Sequence, residues 1–174
     1  VLFLVDGERL AGETLDNIDY NRLNLDNVER VEIVKGAAST LYGSSAIGGV
    51  INIITKASDD PWNLNLNTRF GVHNDQRHVG TVGFNAGKFY SQTNVQYTNI
   101  DSIHVKQGDY TTINGNKTWN VKERLMFTPN EQLRLTARAG YYFRERDASS
   151  ETKNRYRGFS GGLKGNYDFN TKSN

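Results

Sequence analysis

Beyond Pro61 the chain keeps a period of two. Trp62, Leu64, Leu66, Thr68, Phe70 and Val72 fall on one parity, with Asn63, Asn65, Asn67 and Arg69 on the other. The pattern returns with Val82, Phe84 and Ala86, then with Phe89, Val95 and Tyr97. It continues through Trp119, Val121, Leu125 and Phe127, where Glu123 interrupts it. The longest run sets Leu133, Leu135, Ala137, Ala139, Tyr141 and Phe143 against Gln132, Arg134, Thr136, Arg138, Tyr142 and Arg144. Phe159, Leu163, Tyr167 and Phe169 close the series, with Gly161 and Gly165 on the same parity. Successive strand side chains point to opposite faces, so this predicts about six strands, each apolar on one side and polar on the other.

Connections refine that picture. Tight turns are expected at Ala86-Gly87-Lys88 and Thr128-Pro129-Asn130-Glu131, and longer polar loops at 73–78, 100–117 and 147–156. A membrane barrel alternates short and long connections in this way, because one rim carries turns and the other carries loops. A soluble antiparallel sandwich shares the strand alternation but has no reason to alternate its connections. Aromatics near strand ends (Trp62, Trp119, Tyr141, Tyr142, Phe143, Tyr167, Phe169) suit interfacial girdles, and would also suit sandwich edges.

Residues 1–56 follow a different grammar, that of a compact α+β piece. "VLFLV" reads as a short buried strand closed by an Asp6-Gly7 turn. Asp26-Asn27-Val28-Glu29 predicts a helix turn, with Asp26 as N-cap and Glu29 three residues on. Residues 30–35, "RVEIVK", alternate as a half-buried strand does, and residues 50–55, "VINIIT", form another, apolar on both faces apart from Asn52. Between them lies a run built almost wholly of Gly, Ala, Ser and Thr.

Composition narrows the function classes. The 174 residues are 36% hydrophobic and 23% charged with a net charge of +2, so neither a basic stripe for a polyanion nor a nucleic-acid partner is expected. Without cysteine there is neither a disulfide frame nor a thiolate metal site. No apolar run approaches the roughly 18 residues of a membrane helix, which leaves a membrane barrel open. The first residues lack the basic start and cleavage site of a signal peptide, and the chain is expected to be a piece of a longer one. Gly43 to Gly48 has the end glycines of a phosphate loop, but Gly49 stands where its lysine is required. His73, His78 and His104 fall in or beside expected loops, where metal or haem ligation is weighed against plain surface placement. No nucleophile, base and acid stand in a catalytic order, so no enzyme, resident metal or cofactor is expected.

The stretch "RVEIVKGAASTLYGSSAIGGVINIITK" resembles the C-terminal part of the plug domain of TonB-dependent outer-membrane receptors. The family's parts occur in order: Arg30-Val31-Glu32, Lys35-Gly36, Tyr42-Gly43-Ser44, then Ala46-Ile47-Gly48-Gly49-Val50-Ile51-Asn52-Ile53. Ala37 stands where many members have Pro, and Lys35 where Arg is common. The resemblance is dense over residues 1–56 and rests on barrel-like pattern beyond them. It implies residues 1–57 as the C-terminal part of a plug and residues 58–174 as the first strands of a transmembrane barrel of about 22 strands.

The resemblance also implies function. Such a receptor binds a scarce, bulky nutrient (ferric siderophore, haem or cobalamin) at its outer face. It then moves its plug when pulled by TonB, in the outer membrane of a Gram-negative bacterium. Lys35-Gly36, where glycan importers usually carry Lys-Asp, favours those cargoes. TonB would engage through a plug segment outside this sequence. The slick run gives loops that slide along a wall, with Gly43, Gly48 and Gly49 supplying close backbone approach. By the same resemblance Arg30, Glu32, Lys35, Gly36, Tyr42, Gly43, Gly48, Gly49 and Asn52 form the plug motif and its barrel contacts. Asp19, Tyr20, Asn21, Arg22, Ser39 and Tyr42 would lie at ligand-binding apices. Arg69, Arg134, Arg138, Arg144 and Arg146 would line a wet lumen or meet plug carboxylates. A passive porin or adhesin barrel is the alternative.

Overall fold

The computed structural model describes residues 1–10, 28–35, 46, 48–56, 58–104, 111–148 and 152–169. It divides into two compact units, Val1–Ala57 and Ser58–Asn174. Apart from a single 3₁₀ position at Ala46, regular structure among the described residues is entirely β.

The first unit is a four-stranded sheet of β1 (Leu2–Val5), β2 (Glu8–Arg9), β3 (Val28–Val34) and β4 (Val50–Thr55), ordered β2-β1-β4-β3. β1 and β4 pair in parallel, Leu2 opposite Val50 and Val5 opposite Ile53, while β3 runs antiparallel to β4. Asp6 and Gly7 both have positive φ (51° and 80°), the pairing that a two-residue hairpin needs to match strand twist. Leu2, Leu4, Ala46 and Val50 form the core, with Val34 packed against it.

The expected helix turn at 26–29 does not hold at Val28 and Glu29. Val28 and Glu29 already belong to β3, with Val28 opposite Thr55. A β-branched residue gains more from that ladder than a short helical turn gains from its cap. Asp26 and Asn27 lie outside the described residues.

The second unit contains a six-stranded antiparallel meander. Its strands are β5 (Trp62–Phe70), β6 (Gln76–Ala86), β7 (Phe89–Ile100), β10 (Asn116–Phe127), β11 (Leu133–Asp147) and β12 (Lys153–Tyr167), each paired with its neighbour along the chain. Between β7 and β10 the chain makes a small ribbon of β8 (Ile103–His104) and β9 (Thr111–Ile113). At the β6–β7 turn Gly87 has φ 68° and donates its amide to Asn85 Oδ1 at 3.1 Å. At the β10–β11 turn Asn130 Oδ1 accepts the amides of Gln132 and Leu133 at 3.1 and 2.9 Å.

Six strands form as their periodicity predicts, but two of the three expected long loops shrink. The 73–78 loop becomes a 71–75 turn, because Gln76, Arg77 and His78 pair with Phe70, Arg69 and Thr68. The 147–156 loop becomes 148–152, because Lys153 to Tyr156 pair with Asp147 back to Arg144. Strands extend there with polar residues on both faces, so alternation ends before pairing does. Only 101–115 is long, and the contrast in connection length is weaker than the sequence suggests.

Candidate functional site

Register sorts every residue of the six strands onto one of two faces, and the sorting is inverted relative to a water-soluble sheet. The apolar face is exposed: Leu66 is 73%, Phe159 83% and Leu163 90% accessible. On the central strands the polar face is buried: Gln96 is 1% and Thr118 2% accessible, and Thr81, Gln92, Asn120 and Thr136 are buried with them. Water-soluble domains do the opposite, and exposed apolar surface on this scale marks a membrane or partner surface.

The apolar face has two aromatic borders. On β5 they are Trp62 and Phe70, on β7 Phe89 and Tyr97, on β10 Trp119 and Phe127, and on β12 Phe159 and Tyr167, in each case eight residues apart. Eight steps of about 3.4 Å span about 27 Å along a strand, or roughly 19–22 Å of height at the 35–45° tilt of membrane barrel strands, close to their apolar band. The borders do not follow one ladder row. Near the turns the border moves from the Trp62–Phe84 row to Phe89–Phe127 and then to Tyr167. Near the loops it moves from Phe70 to the His78–Tyr97–Trp119–Phe143 row and then to Tyr141–Phe159. Both borders descend together from β5 to β12, as tilted strands require if the borders are to stay level.

Ring contacts knit the loop-side border. His78 stacks on Tyr97 at 5.9 Å and meets Phe70 edge-on at 5.1 Å, and Tyr97 packs on Trp119 at 4.7 Å. His78 is therefore a strand residue inside an aromatic row, whereas His73 sits in the 71–75 turn with φ 56°. The side chain of His104 is not among those described. Tyr142, expected as a girdle residue, is on the polar face, buried against Tyr156.

Glu123 stands at the centre of the apolar band, four residues from each of its strand's borders. It does not stand bare. Ser91 Oγ donates to Glu123 Oε1 at 2.7 Å and Thr93 Oγ1 to Glu123 Oε2 at 2.5 Å, both hydroxyls coming from the adjacent strand β7. A carboxylate on an apolar surface requires such donors.

The polar face carries amides and cations. Asn94 Nδ2 donates to Thr81 Oγ1 at 2.7 Å, and Arg124 donates to Gln92 Oε1 at 2.9 Å while lying 5.5 Å over the Tyr90 ring. Arg69 and Arg77 face each other across β5–β6, Arg124 and Arg138 across β10–β11. With Lys122, Arg134, Arg144, Arg146 and Lys164 they make every charged side chain on this face of the six strands a cation.

In the first unit the motif residues build a polar clasp. Asn52 Oδ1 accepts the Gly7 amide at 2.9 Å, and Asn52 Nδ2 donates to Glu32 Oε2 at 3.1 Å. Asp6 accepts the Thr55 amide at 2.9 Å and its hydroxyl at 2.8 Å, fixing the β1–β2 turn to the end of β4. Arg30 donates to Glu32 at 3.0 Å and to Glu29 at 2.6 Å, and these two carboxylates, Glu32 foremost, raise its already high pKa. At Gly49, φ is 105° and an added Cβ would stand 3.0 Å from the Val34 carbonyl, so only glycine fits without strain. At Gly48 a Cβ would press on the Val1 amide at 3.2 Å. Lys35 is exposed. Gly36, Tyr42 and Gly43, and the ligand-binding candidates Asp19, Tyr20, Asn21, Arg22 and Ser39, lie outside the described residues. Sequence reasoning missed Asp6–Thr55, although the Asp6-Gly7 turn itself was legible.

Residues 1–50 match the family model of the TonB-dependent receptor plug domain. That match identifies part of a TonB-dependent receptor plug domain in residues 1–50. Among curated relatives, vitamin B12 transporter BtuB of Vibrio cholerae is 58% identical over 57 residues, 33% of this chain and 9% of that protein. The iron-regulated outer membrane virulence protein of Vibrio cholerae is 44% identical over 72 residues, 37% of this chain and 11% of that one. These matches thus span about a tenth of the relatives' lengths. The siderophore receptor PirA of Pseudomonas aeruginosa shares the fold with a TM-score of 0.71 at 22% identity, over 95% of this chain and 29% of that one.

Proposed function

We propose that this chain is part of a TonB-dependent receptor, an active transporter of the Gram-negative outer membrane. Its cargo would be a scarce, bulky nutrient: ferric siderophore, haem or cobalamin. Residues 1–57 act as the C-terminal portion of its plug and residues 58–174 as the first strands of its barrel. The observation that carries this reading is the inverted sheet: an exposed apolar face bordered by aromatics at constant spacing, backed on the central strands by buried amides and hydroxyls, with cations on the same face. The relatives named for vitamin B12 and siderophore transport support the cargo class. The mechanism is binding and displacement. Cargo is captured outside, TonB supplies force from the periplasmic side, and no covalent bond changes.

The roles given to the plug-motif residues, and to Asp19, Tyr20, Asn21, Arg22, Ser39 and Tyr42 as cargo contacts, rest on the family resemblance. The test is growth of a strain deleted for the full-length gene on single iron or cobalamin sources, with and without TonB. Loss of growth on one source, reproduced by loss of TonB, is expected. Growth or cargo entry indifferent to TonB would favour the passive porin.

A further inference from the structure

The polar face shows which transported chemistry its wall suits, an inference that rests on the transporter reading above. Like charges directly opposite on adjacent strands destabilise a sheet, yet Arg124 and Arg138 are direct partners on β10 and β11. No carboxylate on this face of the six strands relieves them, since the strand acids Glu123, Glu145 and Asp147 all stand on the other face. The pair is flanked by Gln92 in the same ladder row and by Tyr90 one row nearer the turns. Arg124 is held by Gln92 and lies over Tyr90. The Arg138 Nε and the Tyr90 hydroxyl are buried and have no hydrogen-bond partner among the described residues. Buried donors are normally satisfied, and an exception calls for a missing acceptor.

We infer that this row is a station for an oxyanion, and that the receptor's cargo is a chelate of net negative charge rather than an uncharged one. An opposed guanidinium pair, with the Arg138 Nε unmet among the described residues, suits carboxylate, catecholate or phosphate oxygens, which accept charge-assisted hydrogen bonds. The cations continue along β11 as Arg134, Arg144 and Arg146, so an anion leaving this row meets further cations towards either rim. An uncharged cargo gains little from such a wall, while an anion is drawn along it.

The test uses the full-length receptor in a receptor-deficient strain and five probes. Ferric enterobactin, ferric citrate and haem are the anionic chelates, and ferrichrome and cyanocobalamin the uncharged ones. TonB-dependent uptake of at least one anionic chelate is expected, with little uptake of the uncharged pair. Replacing both arginines (Arg124→Gln with Arg138→Gln) should weaken binding of that chelate at least about tenfold, the worth of one charge-assisted hydrogen bond. The same variant should unfold at a higher temperature without cargo, because the opposed charges are gone. Arg138→Lys should keep more of the binding than Arg138→Gln. A barrel that still migrates as a folded species in an unheated gel shows that the variant folds. TonB-dependent uptake of only the uncharged probes, or anionic uptake indifferent to the pair, overturns this inference and leaves the transporter reading standing. TonB-dependent uptake of none of the five overturns both.

Discussion

Leu163→Arg separates a lipid-facing surface from a water-facing one. Leu163 lies midway between Phe159 and Tyr167 on β12 and is 90% accessible. If that face met water, the substitution would remove almost no packing and change stability by about 0.5 kcal/mol or less. If it meets acyl chains, an arginine at mid-depth costs about 2–4 kcal/mol, a factor of roughly 30 to 900 in the folding equilibrium. Tyr167→Arg, at the border, puts the same charge where the bilayer is polar, and its charge term falls to about 0–1 kcal/mol. The measurement is reversible urea unfolding of the full-length receptor in phosphatidylcholine vesicles, followed by tryptophan fluorescence and far-UV circular dichroism. A Leu163→Arg cost no larger than that of Tyr167→Arg, or both near zero, would refute the lipid-facing assignment.

Three further outcomes follow from named contacts. Removing the hydroxyls beside Glu123 (Ser91→Ala with Thr93→Val) should cost about 1.5–3 kcal/mol in the same vesicles, and most of that loss should vanish in a Glu123→Leu background, as a double-mutant cycle would show. Asn52→Ala breaks the bonds to Gly7 and Glu32. It should cost about 1–2 kcal/mol of local stability, read as faster amide exchange in residues 2–9 of the full-length protein. Gly49→Ala forces a side chain into φ 105° against the Val34 carbonyl. A loss of about 1–3 kcal/mol is expected, and calorimetry showing no change would contradict the strain.

The parts of this fold legible in the sequence were those where one periodic signal acted alone. Between the aromatic borders one face is apolar and the other polar, so Leu64, Leu66, Val82 and Leu125 announce their strands. Beyond the borders both faces are wet: Arg144 to Asp147 pair fully with Lys153 to Tyr156, yet nothing in their polarity distinguishes a strand from a loop. Local rules misled at Val28, where a capping pattern competed with a ladder formed with Thr55, distant in sequence. The anion station was only half visible. Parity placed Arg138 on the polar face, but Arg124 follows Glu123, whose charge disturbs the alternation on β10. Only register reveals that the two arginines are opposed.

The eight-residue interval between aromatics makes the wall a ruler for acyl-chain length. In a bilayer much thicker than about 25 Å, either the Tyr97 and Trp119 border or the Phe89 and Phe127 border would have to sink into hydrocarbon, or the lipid would have to thin around the wall. A protein measured this way is at ease in the thin bacterial outer membrane and strained in thicker ones. The chain therefore carries a sorting preference by thickness alone, independent of any receptor-read address.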